Sequence, residues 1–233
     1  MKRLLALAIL MLVPPAFGTI TQVQSQHNWS GSGTTCVVNF TSGPTLGNMI
    51  AVWTSWTTSG ANNVTATVKD SIGNGVGAPP MFPSAVGPTV QSAASSPTAA
   101  QIFYAKNITG GGSDTVTVTF SSAPSSSNCV IVEYSGLDQN YPLDSVSAGY
   151  STSGNPTSLM DSGTVAPANA NLLVFGGGTS DTGTANLQSG GMFTVVQKSG
   201  GSLTEQMVVA GNNALQRATV CLNTVDRWHT FSG

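Results

Sequence analysis

Asp114-Thr115-Val116-Thr117-Val118-Thr119-Phe120 is the stretch on which the reading of this chain turns. Val116, Val118 and Phe120 alternate with threonines, the period of two that sends successive side chains to opposite faces of a strand. One apolar face and one hydroxyl face mark half-buried antiparallel sheet. Working outward, Thr34–Thr41 and Val64–Lys69 repeat the alternation, while CVIVEY (129–134) and NLLVF (171–175) are denser apolar runs. MIAVWTSW (49–56) opens with five apolar residues, which predicts a central strand covered on both faces. Pro79, Pro80, Pro83, Pro88 and Pro97 confine residues 78–98 to a loop or sheet edge, because proline donates nothing to a ladder. With a strand at 100–106 and weaker runs near 145–152, 160–165, 192–197, 204–209, 217–222 and 228–231, the count reaches ten to twelve strands and no amphipathic helix. The expected fold is all-β: an antiparallel β-sandwich with jelly-roll-like topology. A weak echo links Gly47–Val52 to Ala170–Val174, as two equivalent central strands would.

Composition narrows the classes further. Gly, Ser, Thr and Asn make up 100 of 233 residues, and only 7% of the chain is charged, against roughly 25% in an average domain. The 40% apolar content, gathered in strand-like runs, is that of a packed core. After residue 18 the basic side chains are Lys69, Lys106, Lys198, Arg217 and Arg227, which never cluster, so nucleic acid is not an expected partner. Met1-Lys2-Arg3, the apolar run Leu4–Val13, Pro14-Pro15 and the small residues Ala16 and Gly18 have the form of a secretory signal peptide over residues 1–18. That apolar run is too short to span about 30 Å of hydrocarbon, so no membrane-spanning segment is expected once it is removed. Residues 19–33 read as a flexible polar lead-in and 34–233 as a single sandwich domain, with a split near 145–170 as the alternative. Cys36, Cys129 and Cys221 allow one distant disulfide with a spare thiol, or three buried thiols.

Several motifs, taken in order, resemble a group of uncharacterised secreted bacterial β-sandwich proteins that occur alone or beside other extracellular modules. They are Gly47-Asn48 before an apolar run, VKDSIGN (68–74), FYAKNITGG (103–111), DTVTV (114–118) and EYSGL (133–137). The likeness covers residues 34 to about 222, with FYAKNITGG its most specific part. It implies a β-sandwich outside the cell; no catalytic residues are established for the group, so the resemblance implies nothing about activity. Members end on a tryptophan and an apolar strand, of which Trp228–Phe231 is a short version.

The chemistry-bearing residues are few. His27 and His229 are the only histidines, and neither a Gly-x-Ser-x-Gly elbow nor a His-Glu-x-x-His helix is present. Glycoside hydrolysis needs two carboxylates about 5–9.5 Å apart. Glu133 interrupts CVIVEY on the face it shares with Cys129 and Ile131, where a carboxylate must meet an open strand end, a structural partner such as Lys106 or Lys69, or a ligand. Calcium, the one cofactor considered, would take oxygens from Asp70 and Asn74 or from Asp138 and Asp144, residues that equally make Asx turns. Trp53 reads as core. Trp56, three residues on and among Thr and Ser, is expected to be exposed. With Tyr141 and Tyr150 it would give a sugar flat rings to lie on. The expected function is therefore non-catalytic: surface recognition or adhesion by a secreted protein, with glycans or cell-surface polymers as partners. The alternatives are a structural module of an extracellular assembly, self-associating through sheet edges, and a carbohydrate-active enzyme using Glu133 and an aspartate.

Overall fold

The computed structural model describes residues 18–60, 63–91, 96–150, 157–164, 168, 171–180, 187–189, 193–199, 202–209, 219–226 and 228–232. Residues 1–17, which carry the signal-peptide reading, lie outside the described residues. The described residues form sixteen strands: β1 (Thr21–Ser30), β2 (Thr35–Asn39), β3 (Met49–Thr57), β4 (Ala66–Asp70), β5 (Ser84–Gln91), β6 (Thr98–Ala105), β7 (Thr115–Phe120), β8 (Ser126–Ser135), β9 (Ser147–Tyr150), β10 (Thr157–Asp161), β11 (Leu172–Ser180), β12 (Leu187–Gln188), β13 (Thr194–Ser199), β14 (Ser202–Val209), β15 (Thr219–Asp226) and β16 (Trp228–Ser232). All strand pairings are antiparallel. The fold is thus all-β and multi-sheet, with more strands than the ten to twelve expected.

Strand order repeats. The first eight strands make the sheets β1-β8-β3-β6-β5 and β2-β7-β4, and the last eight make β9-β16-β11-β14-β13 and β10-β15-β12. Counted from its own first strand, each half reads 1-8-3-6-5 and 2-7-4. The echo seen in sequence falls on β3 and β11, the third strand of each half. It is out of phase by one residue, however. Ala51 faces the other half of the molecule, as do Leu173 and Phe175, whereas Val174 between them faces away.

The alternating pattern explains the packing. Val116, Val118 and Phe120 of β7, with Cys36 and Val38 of β2 and Val68 of β4, fill a core against Ile50, Val52 and Trp56 of β3, Phe103 of β6 and Ile131 of β8. A disulfide between Cys36 and Cys129 crosses this core from sheet to sheet, with Cα atoms 6.4 Å apart. Cys221, left over, lies on β15 in the other half. The opposite face of the larger sheet (Ala51, Trp53, Ala100, Ile102, Val130, Val132 and Tyr134) packs on Phe175 and on the half-buried Leu173 and Val196. MIAVW and CVIVEY are dense in apolar residues because β3 and β8 are buried on both faces. The small sheet of the second half lies on the far side, β10 beside β16 and β12 beside β14.

Two local expectations change and one holds. Residues 21–30, read as a lead-in, form β1 and pair with β8 along its length. Their Gln, Ser and Thr side chains are only partly buried, so no hydrophobic alternation announces the strand. The strand read over 171–175 runs on through Gly176-Gly177-Gly178, which lie inside β11. A Cβ on Gly177 would come within 2.4 Å of Trp53 Nε1, so the indole of β3 requires a bare backbone there. Residues 78–98 do hold an edge strand, β5, whose register breaks on both sides of Val86 and which contains Pro88.

Candidate functional site

The loops that follow β2, β4, β6 and β8 gather at one end of the first half. Gly47 N–H donates to Ile108 O (2.9 Å), Ile108 N–H to Asn48 O (3.0 Å) and Gly111 N–H to Pro44 O (3.1 Å). Thr109 N–H donates to Asn74 Oδ1 (2.6 Å), which ties in the loop after β4. The approach is close: a Cβ on Gly110 would meet Leu46 N at 2.4 Å. Gly110, within FYAKNITGG, is therefore needed where two loop backbones touch.

Carboxylates brace three of these loops from within, those after β2, β4 and β8. Glu133, at the end of β8, is fully buried and faces the sandwich core, not an open strand end. Its Oε1 accepts from Thr45 N–H (2.8 Å) and Asn48 Nδ2 (2.6 Å), and its Oε2 accepts from Gln24 Nε2 (2.7 Å). Gln24 passes the support on, accepting at Oε1 from Ser42 N–H and from the hydroxyls of Thr41 and Ser42. The lysine partners considered from sequence are replaced by amides. A buried carboxylate with three donors is stabilised in place and closed to a sugar. Asp138 accepts from the N–H groups of Asn140 (2.7 Å) and Tyr141 (3.0 Å). Those two bonds, Tyr141's first, hold its carboxyl below the usual range. Asp70 accepts from the N–H groups of Gly73 and Asn74, both at 2.8 Å. Asp114, fully buried, accepts at Oδ1 from Ser71 N–H (3.3 Å) and Oγ (3.0 Å). Burial, and then the charge of Asp70, hold the Asp114 carboxyl above the usual value.

On this frame stand the exposed groups. Tyr141 is 85% exposed, with Lys106 Nζ 5.4 Å from its ring centroid. Lys106 also donates to Asn140 O. Leu46 is 73% exposed, and its neighbour Gly47 abuts Gln139 of the Tyr141 loop. The result is an aromatic face, a cation and an apolar side chain on three touching loops.

The other residues singled out from sequence lie elsewhere. Trp56 is 1% exposed and packs on Phe120 with centroids 5.5 Å apart, which corrects the expected exposure: its polar neighbours are themselves buried. Tyr150 lies on β9 opposite His229, in the second half. Asn74 is occupied by Asp70 and Thr109. Asp144 accepts from Ala168 N–H, and Asp138 caps its own loop, so these two do not converge. Glu205 is buried in β14, in the half that lacks Glu133. A seam between the two large sheets, lined by His27, Trp53, Asn128, Gln197, Ser202 and Thr204, is too narrow to admit water. Among the described residues, no group of three or more His, Cys, Asp or Glu is placed to hold a metal ion, and no helix is long and apolar enough to cross a membrane. Sequence reasoning missed Leu46, which belongs to no motif, and the stacking role of Lys106, which lies in FYAKNITGG but depends on which loops meet. No family model matches the chain, and no curated protein matches it either.

Proposed function

We propose that the protein is a secreted, non-catalytic recognition protein whose loop end binds glycans of a cell-surface polymer. The observation that carries the reading is Tyr141, an almost bare ring flanked by Lys106 and held by a capped loop. A sugar lays its C–H face on such a ring, while amides and an ammonium take its hydroxyls. The Cys36–Cys129 bond supports export, since disulfides persist in oxidising compartments. A jelly-roll topology in each half is supported by first-with-last and second-with-seventh pairing. The likeness to secreted bacterial sandwiches, read from motifs at this same loop end, fits the assignment. Glycan-array binding by the exported form, with at least a tenfold loss in Tyr141→Ala, is the expected result; binding unchanged in that variant sinks the reading.

A structural role in an assembly is the second reading, and β1 favours it. This ten-residue strand sits at a sheet edge and has neither charge nor proline, the usual guards against pairing. Sedimentation over a hundredfold concentration range tests it. Growing oligomers that Gln26→Lys abolishes support assembly, and a concentration-independent monomer excludes it.

A further inference from the structure

Asp70 and Asp114 lie side by side. Asp70 pairs with Val116 in the β4–β7 ladder, and Asp114 is two residues from Val116, hence a diagonal neighbour on the same, inward face. Both side chains are buried, and neither has an ion-pair partner among the described residues. Their oxygens can be accounted for one by one. Asp70 Oδ1 takes two backbone N–H groups, and its Oδ2 takes Asn74 Nδ2. Asp114 Oδ1 takes Ser71 twice. Asp114 Oδ2 is buried and takes nothing. An isolated buried carboxylate oxygen beside a second carboxylate is costly. A proton on it would neutralise only one of the two carboxylates. A cation meets the orphaned oxygen and the paired negative charge at once.

We infer that Asp70 and Asp114 hold a calcium ion that ties the loop after β4 to the loop after β6. The ligand class follows from the donors. These are carboxylate oxygens with no histidine or thiolate, which suit a hard divalent cation, and a shell of six to eight oxygens is completed by backbone carbonyls and water. Asn74, a ligand candidate by sequence, stands beside the site as the partner of Asp70 and Thr109. With only two carboxylates the affinity falls in the weak range of extracellular modules, about 10⁻⁴–10⁻³ M. The ion would stiffen the frame beneath Tyr141 but does not depend on what Tyr141 binds.

The test uses the full exported chain, stripped with chelator and titrated with CaCl2. At roughly ten times the dissociation constant the melting temperature is expected to rise by about 3–6 °C. Equilibrium dialysis is expected to find about one ion per chain at saturation. Asp114→Asn keeps the side-chain shape and removes the charge; it should lose both signals and melt in chelator no lower than the wild type. If that variant fails to fold, Asp70→Asn carries the same expectation. No rise with CaCl2, a rise matched by NaCl at equal ionic strength, or a response retained in Asp114→Asn overturns the site.

Discussion

Changing Glu133 to Gln removes a charge without changing size. The new side chain can keep Oε1 on Thr45 and Asn48, but its amide then faces Gln24 Nε2, donor against donor. Gln24 could turn its own amide only by giving up Thr41 and Ser42. We expect a loss of about 1–3 kcal/mol in urea unfolding, with sugar turnover absent in both proteins. Asp114 makes a different prediction, in pH. Its carboxyl is raised in the folded state, by burial first, so between that value and 3.8 the folded chain holds a proton that the unfolded one releases. In chelator, wild-type stability relative to Asp114→Asn should rise as the pH falls through this window and stay at its lower value above it. A relative wild-type stability that is flat from pH 7 to 4, or that falls with falling pH, contradicts the assignment. Neither residue's role was legible in sequence. Glu133 stood out for interrupting an apolar run, but its partners come from Gln24 and Asn48, far away in the chain.

The elements themselves were legible wherever burial is one-sided or complete, as in β7 and β3. The misses have a common physical cause: the neighbour, not the residue, decides. β1 is a strand because β8 offers it a ladder, and Gly177 stays in a strand because Trp53 leaves room for nothing larger. Gly177→Ala is accordingly expected to cost about 1–3 kcal/mol through overpacking, although alanine would ordinarily suit a strand better than glycine; a neutral or stabilising effect in thermal unfolding would refute that contact. The disulfide couples β2 to β8 across the first core and closes a sequence separation of 93. Chain-entropy reasoning gives the double variant Cys36→Ala/Cys129→Ala a deficit of about 4–5 kcal/mol. Reducing agent should lower the wild-type melting temperature and leave the variant's unchanged.

At the scale of the whole molecule, two halves of the same strand order meet through their larger sheets. Tyr134 Oη donates to Gln206, Gln206 Nε2 donates to Gln22 Oε1 (2.7 Å), and the Ser55 and Ser202 hydroxyls pair at 3.5 Å. These polar links ring a centre in which Trp53 lies over Gly177 while Tyr134 meets Phe175 edge-on, with ring centroids 6.2 Å apart. Residues of β3 and β8 therefore serve two cores at once, which makes the first half's stability depend on the second. Trp53→Ala removes the largest side chain on the shared face while leaving the first core, built on Ile50, Val52 and Trp56, intact. The expected loss is about 3–5 kcal/mol, and it should fall on the contact between the halves. Calorimetry is expected to show one endotherm for the wild type and two for the variant, with the disulfide-bonded half melting later. A Trp53→Ala protein that still unfolds in one transition would mean that the halves are coupled elsewhere, through the polar ring and the 136–146 connection.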